Sequence, residues 1–287
     1  MSQLPRSFPP RPSRSLAGKV AIVTGAGSTG DNELGNGRAI ALLLAEAGAS
    51  VVCADRDAAP AERTAELIQG EFPGTAALAI QGDVTNEDDC RRMVNGTAAR
   101  FSRLDILVNN VGIMGARGPA PDVDVSQWAQ GLEVNVTSMM LMVKYAVDAM
   151  RANAPREEEG YIRGSIVNMG SVAGLQGGTP SLLYPTSKGA VVNMTRAMAA
   201  HHARDGIRVN CVCPGMLYTP MMYGSGGIGP AMDPATMEYR RKRSLLQTEG
   251  TAWDTAGAVR FLAGNEARWV TGTILTVDAG ATCAQLV

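Results

Sequence analysis

Short runs of apolar, largely β-branched residues alternate with longer helical stretches from Lys19 onward, and this alternation restricts the fold more than any other feature. The runs are apolar at consecutive positions, not at every second one, which is typical of strands buried on both faces. We therefore predict an α/β fold with one doubly wound parallel sheet and helices on both of its faces. The predicted strands are KVAIVT (19–24), SVVCA (50–54), ILVNN (106–110), SIVNM (165–169) and RVNCVCP (208–214).

The stretches between these strands predict helices and give no sign of a domain boundary. Helices are predicted at 38–48, 61–72, 87–101 and 126–151. No linker rich in proline, glycine or serine divides the chain, so residues 17–287 are predicted to form a single domain. The first 16 residues carry three arginines and four prolines, and prolines oppose a helix, so we expect a flexible tail there.

Composition excludes several classes of protein. Hydrophobic residues make up 45% of the 287 residues and charged residues 18%, which is typical of a globular chain and not of a disordered one. A net charge of -1 lacks the positive charge expected of a nucleic-acid-binding protein. No run approaches the ~18 apolar residues of a membrane span. We expect a cytoplasmic protein that binds neither nucleic acid nor membrane.

The cysteines and histidines indicate neither a metal site nor a hydrolase. The five cysteines are scattered without a C-x-x-C pair, so reduced thiols are expected. Cys211 and Cys213 share one face of a predicted strand, but two thiols without a nearby histidine make a poor metal site. His201 and His202 follow Tyr184 by 17 and 18 residues, which is about 26 Å along one helix. We therefore predict no metal and no histidine-based hydrolase.

The first predicted strand ends in a turn whose glycines allow two registers. Gly25, Gly27 and Gly30 spell G-x-G-x-x-G, whereas Gly35 and Gly37 place the last glycines further along. The last glycine of a dinucleotide-binding turn must open a helix whose N-terminal amides face the pyrophosphate. DNELGNG follows the earlier register and does not start a helix, whereas RAIALLLAEAG follows the later register and does.

The later register predicts that Asn36 and Gly37 form the phosphate-facing turn and that residues 29–34 are an insertion. The two acidic residues of this insertion would repel a pyrophosphate, so we expect them to point to solvent or to the adenosine rim. Asp55 lies 18 residues after Gly37, at the end of the second predicted strand, where an acidic side chain binds a ribose. Strand, turn, helix and acid together predict dinucleotide binding.

Several further motifs, in order along the chain, resemble those of the classical short-chain dehydrogenases/reductases, and the resemblance covers roughly Leu16 to Ala281. It implies a Rossmann fold and an enzyme that acts on CH–OH groups. Val111 replaces the usual alanine of one motif. The motifs are Asp83-Val84, Asn109-Asn110-Val111-Gly112, Asn135 in EVNVTS, Ser171 in NMGSVAG, Tyr184-Pro185-Thr186-Ser187-Lys188, Pro214-Gly215 with Thr219, and Val277-Asp278-Ala279-Gly280.

The resemblance implies a nicotinamide dinucleotide cofactor. Asp55 would accept hydrogen bonds from ribose hydroxyls and repel the 2′-phosphate of NADP, so NAD is predicted. Arg56 keeps NADP as the alternative, because an arginine can pair with that phosphate or stack on adenine. The predicted cofactor-binding residues are Gly25, Ser28, Gly35, Asn36, Gly37, Asp55, Arg56, Asp83, Val84, Asn109, Val111, Gly112, Tyr184, Lys188, Pro214, Gly215, Leu217 and Thr219.

Four residues form the predicted catalytic set. Hydride transfer from a secondary alcohol needs a group that exchanges a proton with the substrate oxygen, and we expect Lys188 to lower the pKa of Tyr184 from ~10 toward ~7 for that task. Ser171 can hydrogen-bond the same oxygen. By resemblance, Lys188 also binds the nicotinamide ribose, and Asn135 holds a water that links Lys188 to solvent.

The predicted reaction is hydride transfer between NAD and a secondary alcohol or ketone. In the family, the segment after Pro214-Gly215 covers the substrate, so we predict a lid near residues 216–250. Its methionines suit an apolar or cyclic substrate, although core packing would explain them nearly as well. The basic run 240–243 is interpreted as a solvated helix face.

Two alternatives remain open at this point. One is an NADPH-dependent ketone reductase of the 3-oxoacyl type, and the other is a dinucleotide-sensing protein without turnover. The resemblance also implies a homotetramer or homodimer, because the helix around 126–151 and the helix of Tyr184 pack across subunits in the family.

Overall fold

The computed structural model describes residues 11–28, 30, 33–155, 161–223 and 233–283. Seven parallel strands form one sheet in the order β3-β2-β1-β4-β5-β6-β7. The predicted α/β fold with a parallel sheet is confirmed. The strands are β1 (Val20–Thr24), β2 (Ser50–Asp55), β3 (Ala77–Gln81), β4 (Ile106–Asn109), β5 (Gly164–Met169), β6 (Ile207–Pro214) and β7 (Ile274–Val277).

Helices connect the strands and cover both faces of the sheet. The described part of the chain contains α1 (Asn36–Glu46), α2 (Ala58–Glu71), α3 (Glu87–Phe101), α4 (Val125–Leu132), α5 (Ser138–Arg151), α6 (Leu183–His202), α7 (Pro220–Tyr223), α8 (Pro234–Lys242) and α9 (Ala252–Ala263).

The order of the strands reverses at β1. Ala21 of β1 pairs with Val51 of β2 on one side and with Ile106 of β4 on the other. The connections therefore leave the centre of the sheet in opposite directions, which opens a crevice at the carboxyl ends of β1 and β4.

Apolar side chains fill both faces of the sheet. Ile40 of α1 and Val259 of α9 lie wholly buried on one face, and Met93 of α3 and Met142 of α5 lie wholly buried on the other. Burial of one such side chain contributes about 2 kcal/mol. Because the central strands are covered on both sides, their sequences are apolar at consecutive positions.

The helix predicted over 126–151 is interrupted. A π-helical turn at Glu133–Thr137 separates α4 from α5, and Asn135 within it is wholly buried. A π-turn holds one residue more than an α-turn and is frequent at functional sites. The extra residue of the π-turn directs the Asn135 side chain inward. The helical period of the sequence predicts an uninterrupted helix at this position.

The predicted N-terminal tail is described only in part. Residues 11–15 are exposed and have no regular structure, Leu16 is buried, and Arg14 Nε lies 3.0 Å from Glu266 Oε1. Residues 1–10 lie outside the described residues. No helix in the described ranges is both long enough and apolar enough to cross a membrane.

Candidate active site

The turn after β1 brings the start of α1 against the end of the strand. Gly25 has a φ of 63°, a left-handed conformation that favours glycine. A Cβ added at Gly37 would lie 1.9 Å from the Gly25 carbonyl oxygen, so no side chain fits there. α1 begins at Asn36, and its N-cap residue Gly35 supplies no side-chain cap. The first amide groups of α1 therefore face the crevice uncapped.

Arg38 fastens the described ends of the insertion to the helices behind it. Its Nη1 donates to the carbonyl oxygens of Gly30 at 3.1 Å and of Glu33 at 2.7 Å, and its Nε donates to Thr64 Oγ1 at 3.1 Å. These hydrogen bonds hold the insertion beside the phosphate turn. The turn itself is completed by the start of α1. Its remaining central residues Thr29, Asp31 and Asn32 lie outside the described residues.

Two buried polar atoms at this turn test whether a dinucleotide fits. Ser28 Oγ and Asn36 Oδ1 are buried, and neither has a hydrogen-bond partner among the described residues. A buried hydroxyl without a partner costs about 1–3 kcal/mol, so such a group is retained where a ligand satisfies it. Together with the uncapped start of α1, the Ser28 hydroxyl fits a bound pyrophosphate.

The end of β2 places a carboxylate beside the same turn. Asp55 Oδ2 accepts a hydrogen bond from the Gly27 amide at 2.9 Å, and Oδ1 accepts one from the Asp57 amide at 3.2 Å. A Cβ at Gly27 would lie 2.8 Å from Asp55 Oδ2, so glycine permits this contact. The Arg56 side chain is 77% exposed, and its Nε lies 3.6 Å from Asp57 Oδ2. Asp55 therefore borders the turn, while Arg56 lies in solvent.

Asp83 and Val84 follow β3 at this edge. Asp83 Oδ1 accepts hydrogen bonds from the Thr85 amide at 2.9 Å and from the Thr85 hydroxyl at 2.8 Å, and Val84 is buried. A groove of about 760 Å³ is bordered by both Arg56 and Asp83. Arg56 and Asp83, both predicted to bind the adenosine side of the cofactor, thus border the same groove.

The residues after β4 divide between the sheet and the crevice. Asn109 is buried and donates from Nδ2 to Asn168 Oδ1 at 2.9 Å, so its amide joins β4 to β5 instead of reaching the crevice. Val111 packs against the core beside α3 and α5. A Cβ at Gly112 would lie 3.2 Å from Lys188 Nζ, so Gly112 leaves room for that ammonium group.

Tyr184 and Lys188 lie one turn apart on α6 and face Ser171, which follows β5. The Ser171 hydroxyl lies beside the Tyr184 phenol and favours its ionised form. Lys188 is buried, its Nζ lies 5.8 Å from the centroid of the Tyr184 ring, and it donates to the Met169 carbonyl oxygen at 2.9 Å. Ser171 Oγ accepts a hydrogen bond from the Ala173 amide at 3.1 Å. The structure thus brings the three predicted catalytic side chains together.

Asn135 lies beside this group but uses its side chain on the protein. Its Oδ1 accepts a hydrogen bond from the Ile113 amide at 2.8 Å, and its Nδ2 donates to the Ile113 carbonyl oxygen at 2.9 Å and to Ser187 Oγ at 3.0 Å. A Cβ at Gly112 would lie 3.4 Å from Asn135 Oδ1. Asn135 therefore holds the segment after β4 against α6, close to Lys188.

Burial shifts the pKa values of both ionisable groups. Desolvation lowers the pKa of Lys188 to about 8. Desolvation also raises the pKa of Tyr184, and the hydrogen bond with Ser171 opposes that rise only in part. The expected lowering of the Tyr184 pKa is therefore wrong for this state, because a phenolate loses more hydration here than its neighbours replace. The phenol is protonated and can donate.

The segment after β6 begins the predicted lid. β6 ends at Pro214, and the Gly215 amide donates to the Val277 carbonyl oxygen at 2.9 Å. Leu217 and Thr219 are both buried at the start of the lid. The rings of its Tyr218 and Tyr223 stack with their centroids 4.6 Å apart.

Tyr223 also locates the insertion relative to the lid. Burial, and next the negative charge of Glu33, raise the pKa of Tyr223. The charge of Glu33, an acidic residue of the insertion, therefore reaches the lid at Tyr223. The glycine-rich loop 224–230 lies outside the described residues.

Arg240 corrects the interpretation of the basic run as a solvated face. It is buried, its Nη2 donates to the Leu217 carbonyl oxygen at 2.9 Å, and its Nε lies 3.5 Å from Glu249 Oε1. Arg241 and Lys242 are exposed and pair with one carboxylate of their own helix. The run is therefore split, because one arginine joins α8 to the start of the lid.

Sequence reasoning left two functional neighbours without a role. Thr24 Oγ1 accepts a hydrogen bond from the Asn110 amide at 3.0 Å, and Asn110 Nδ2 donates to the carbonyl oxygens of Thr24 and Gly25, each at 3.1 Å. This pair fixes the phosphate turn to the end of β4. The signal available was the position of both polar residues, each directly after a buried strand.

The histidines lie away from the crevice. His201 and His202 end α6, and His202 Nδ1 lies 3.4 Å from Asp205 Oδ2. Across the described residues, no group of three or more His, Cys, Asp or Glu side chains is placed to hold a metal ion.

Comparison with known proteins gives the family. A family model described as enoyl-(acyl carrier protein) reductase matches residues 31–282. Cis-4-hydroxycyclohexanecarboxylate dehydrogenase of Sinomonas cyclohexanicum is 38% identical over 93% of this chain and 98% of its own. Xanthoxin dehydrogenase of Arabidopsis thaliana is 36% identical over 96% of this chain and 94% of its own.

A solved structure agrees with these sequence relatives. The crystal structure of a putative short-chain dehydrogenase/reductase from Burkholderia xenovorans superimposes with a TM-score of 0.82 at 39% identity, covering 94% of this chain and 99% of that one. Sequence, fold and the arrangement of Ser171, Tyr184 and Lys188 agree. The chain belongs to the short-chain dehydrogenase/reductase family, as an oxidoreductase of CH–OH groups.

Proposed function

We propose that this chain is an NAD-dependent dehydrogenase of an apolar, cyclic secondary alcohol, or of the corresponding ketone in reverse. One observation carries the proposal. The phenol of Tyr184, the hydroxyl of Ser171 and the ammonium group of Lys188 meet at the same sheet end as the uncapped start of α1 and the unpartnered Ser28 hydroxyl. A proton-exchanging group and a pyrophosphate cradle therefore border one crevice.

A bound nicotinamide dinucleotide supplies a ring that accepts the hydride from the alcohol carbon. The Ser28 hydroxyl and the first amides of α1 would hold its pyrophosphate, and Asp55 would bind its adenosine ribose. Asp83 and Val84 would line the adenine side, and Gly112, Thr219 and Lys188 would lie at the nicotinamide side.

The protein's own groups manage the proton. The Ser171 hydroxyl and the Tyr184 phenol lie side by side, so one substrate oxygen can contact both. Tyr184 Oη takes the proton of an alcohol or donates its own proton to a carbonyl oxygen. The Lys188 ammonium group, held by the Met169 carbonyl oxygen, stabilises the phenolate that results.

Asp55 supports the choice of NAD. Its carboxylate accepts the Gly27 amide at 2.9 Å and so lies at the turn, where a 2′-phosphate would meet a like charge. Arg56, the residue that would favour NADP, is 77% exposed and lies beside Asp57. The geometry thus favours a ribose with free hydroxyls.

The lid supports an apolar substrate. Its described part presents the stacked Tyr218 and Tyr223 together with Met221, which is 41% exposed. Arg240, the basic residue buried beneath it, is occupied by Leu217 and Glu249. A relative that acts on a hydroxycyclohexane ring agrees with a cyclic substrate. We regard the 3-oxoacyl reductase as the weaker alternative.

The test measures turnover of cyclohexanol, cis-4-hydroxycyclohexanecarboxylate and an open-chain secondary alcohol with NAD and with NADP. Tyr184→Phe is expected to lower kcat by about 10² to 10⁴ while cofactor affinity is retained, because proton transfer is lost and the helix is preserved. Near-normal turnover in Tyr184→Phe would remove this residue from the mechanism. Binding of NAD without turnover of any alcohol would favour the dinucleotide sensor.

A substitution at Asp55 tests the choice between NAD and NADP. Asp55→Ala is expected to reduce the ratio of kcat/KM for NAD over NADP by about tenfold or more, because a like charge no longer opposes the 2′-phosphate. Arg56→Ala serves as the control and should leave the ratio near its native value. A native preference for NADPH, or an unchanged ratio in Asp55→Ala, would refute the choice of NAD.

We further propose a cytoplasmic homotetramer, with a homodimer as the smaller alternative. Trp269 is 96% exposed near the edge strand β7, and Met140 of α5 is 42% exposed. Large exposed apolar side chains are typical of surfaces that pack against another subunit. Sedimentation that shows a monomer at micromolar concentration would contradict the assembly.

A further inference from the structure

Two buried thiols lie directly behind the candidate catalytic residues and have no part in the mechanism above. Cys211 and Cys213 share one face of β6, are both wholly buried, and have their sulfur atoms 3.7 Å apart. They pack against Met139 of α5 and Val191 of α6. Two buried thiols would normally only pack the core. They can affect the reaction only if they contact the catalytic residues or the backbone that carries them.

The sulfur atoms are fitted to the strand that carries Ser171. A Cβ at Gly170 would lie 2.7 Å from each of the two sulfurs, so they occupy the space in which a side chain at 170 would lie. The ladder between β5 and β6 ends with the Gly170 amide, which donates to the Val212 carbonyl oxygen at 2.8 Å. Ser171 follows immediately and is not paired with a residue of β6.

The Ser171 amide comes one peptide after Gly170 and so lies beside the Cys213 sulfur, whose pKa it helps to lower. The Ser171 hydroxyl is meanwhile used by the Ala173 amide at 3.1 Å and by the Tyr184 phenol. Cys213 therefore packs against the backbone from which the catalytic hydroxyl extends.

We infer that Cys213 is a positioning residue, whose sulfur accepts the Ser171 amide and so holds the Ser171 hydroxyl in line with Tyr184. This inference rests on the proposed function, because it assigns Cys213 an effect on the same proton transfer. A misplacement of a reacting group by about 1 Å can cost 10² in rate, so a backbone contact at this point affects turnover.

Charges around the sulfur agree with its role as an acceptor. The Cys211 thiol, the Ser171 amide and the positive charges of Lys188 and Arg196 lower the pKa of Cys213, while burial opposes them. The contact with Cys213 and burial raise the pKa of Cys211. Ile274 of β7 and Met139 of α5, which pack on the other sides, carry no charge.

Three substitutions at Cys213 distinguish the loss of a hydrogen-bond acceptor from the loss of side-chain volume. Cys213→Ser keeps an acceptor and is expected to retain turnover within about twofold. Cys213→Ala and Cys213→Val remove the acceptor, the second without leaving a cavity, and each is expected to lower kcat about tenfold at unchanged cofactor affinity. Cys53→Ala removes a wholly buried thiol from β2 and is the matched control, with an unchanged kcat.

A double-mutant cycle tests whether the effect passes through Ser171. In a Ser171→Ala background the catalytic hydroxyl is already absent, so Cys213→Ala should cause no further loss of kcat. Losses that multiply in the double variant would overturn the inference, as would a native kcat in Cys213→Val or a loss of the same size in Cys53→Ala.

Hydrogen exchange gives a readout that does not require turnover. The Ser171 amide is expected to exchange slowly in the native protein and in Cys213→Ser, and at least tenfold faster in Cys213→Ala. Failure of the proposed function would show as no turnover in the native protein with this pattern intact. Equal exchange in all three proteins would overturn the role of Cys213 itself.

Discussion

The two ends of the parallel sheet both bury charged side chains, but the two ends give those side chains different partners. There the Asp105 carboxylate accepts the Val20 amide at 2.9 Å and pairs with Arg103 at 2.6 Å, and Lys19 Nζ donates to Asn265 Oδ1 at 3.0 Å. Arg208, from the start of β6, donates to the carbonyl oxygens of Leu262 and Gly264 at 2.8 and 3.1 Å.

At the carboxyl end, the buried Lys188 has a carbonyl oxygen and two thiols near it, and no carboxylate among the described residues pairs with it. The Ser28 hydroxyl has no hydrogen-bond partner among the residues that the structure describes. Charges without counter-ions and unpartnered hydroxyls reduce stability, so they are retained where they serve binding or reaction. The amino end is built to hold the fold, and the carboxyl end keeps its polar groups for reactants.

Removal of Lys188 should give the largest change and the clearest contrast. Lys188→Met is expected to lower kcat about 10³-fold, because the charge that supports Tyr184 is lost. The same variant should be about 1–3 kcal/mol more stable to unfolding at pH 7, since a desolvated charge is replaced by an apolar chain of similar length. Kinetics and urea unfolding measure the two effects. A less stable Lys188→Met protein would contradict the contrast between the ends.

Arg208→Met should have the opposite effect at the amino end. Three or more buried hydrogen bonds are lost, so the free energy of unfolding is expected to fall by about 3 kcal/mol. kcat should stay native at temperatures where the variant is folded. Arg151, an exposed residue paired with Asp205 at 2.8 Å, supplies the control, and Arg151→Met should cost less than about 1 kcal/mol. Equal losses of unfolding free energy in Arg208→Met and Arg151→Met would contradict the stabilising role assigned to the amino end of the sheet.

The pH dependence of stability sharpens the comparison further. The pKa of Lys188 is about 8 in the folded protein and 10.5 when unperturbed, so folding disfavours its charged form. This destabilisation is fully present below pH 8 and is relieved as pH rises toward 10.5. The stability advantage of Lys188→Met should therefore shrink by about 2 kcal/mol between pH 7 and pH 10. An advantage that stays constant over that range would contradict the assigned pKa.

Ser28→Ala should give the smallest effect. Loss of one hydrogen bond to a bound pyrophosphate is expected to raise the Kd for NAD about five- to tenfold, while unfolding free energy does not fall. Ser165, whose hydroxyl donates to the Leu262 carbonyl oxygen at 3.0 Å near the amino end, is the matched control. Ser165→Ala should cost about 1 kcal/mol of stability with an unchanged Kd. Calorimetry that finds the reverse pattern would break the comparison.

The sequence predicted the central strands to within one residue because strands buried on both faces are apolar at consecutive positions. The edge strands β3 and β7, with the sequences ALAIQ and ILTV, are half-exposed and were not among the predicted strands. The later glycine register placed the first helix at 38–48, and the observed α1 begins two residues earlier, at Asn36. Ser171, Tyr184 and Lys188 were found through the resemblance of their motifs to those of the family.

What sequence could not give depended on tertiary neighbours. Asn135 continues the helical period, so the π-turn that buries it leaves no trace in the pattern. Arg240 stands in a basic run, and only its contact with Leu217 distinguishes it from the residues that follow. The rise in the Tyr184 pKa results from desolvation by surrounding atoms that no local motif specifies.

The position of β1 in the middle of the sheet has a consequence for synthesis of the chain. Its residue Ala21 pairs with Ile106 of β4, so the two strands emerge from a ribosome some 85 residues apart. At about 5–20 residues per second, one edge of the apolar β1 waits roughly 4–17 seconds for its neighbour. During that time the nascent chain exposes an unpaired strand edge, the structure most prone to join another chain. Cellular yield of this enzyme therefore depends on translation speed and on chaperones that cover that edge.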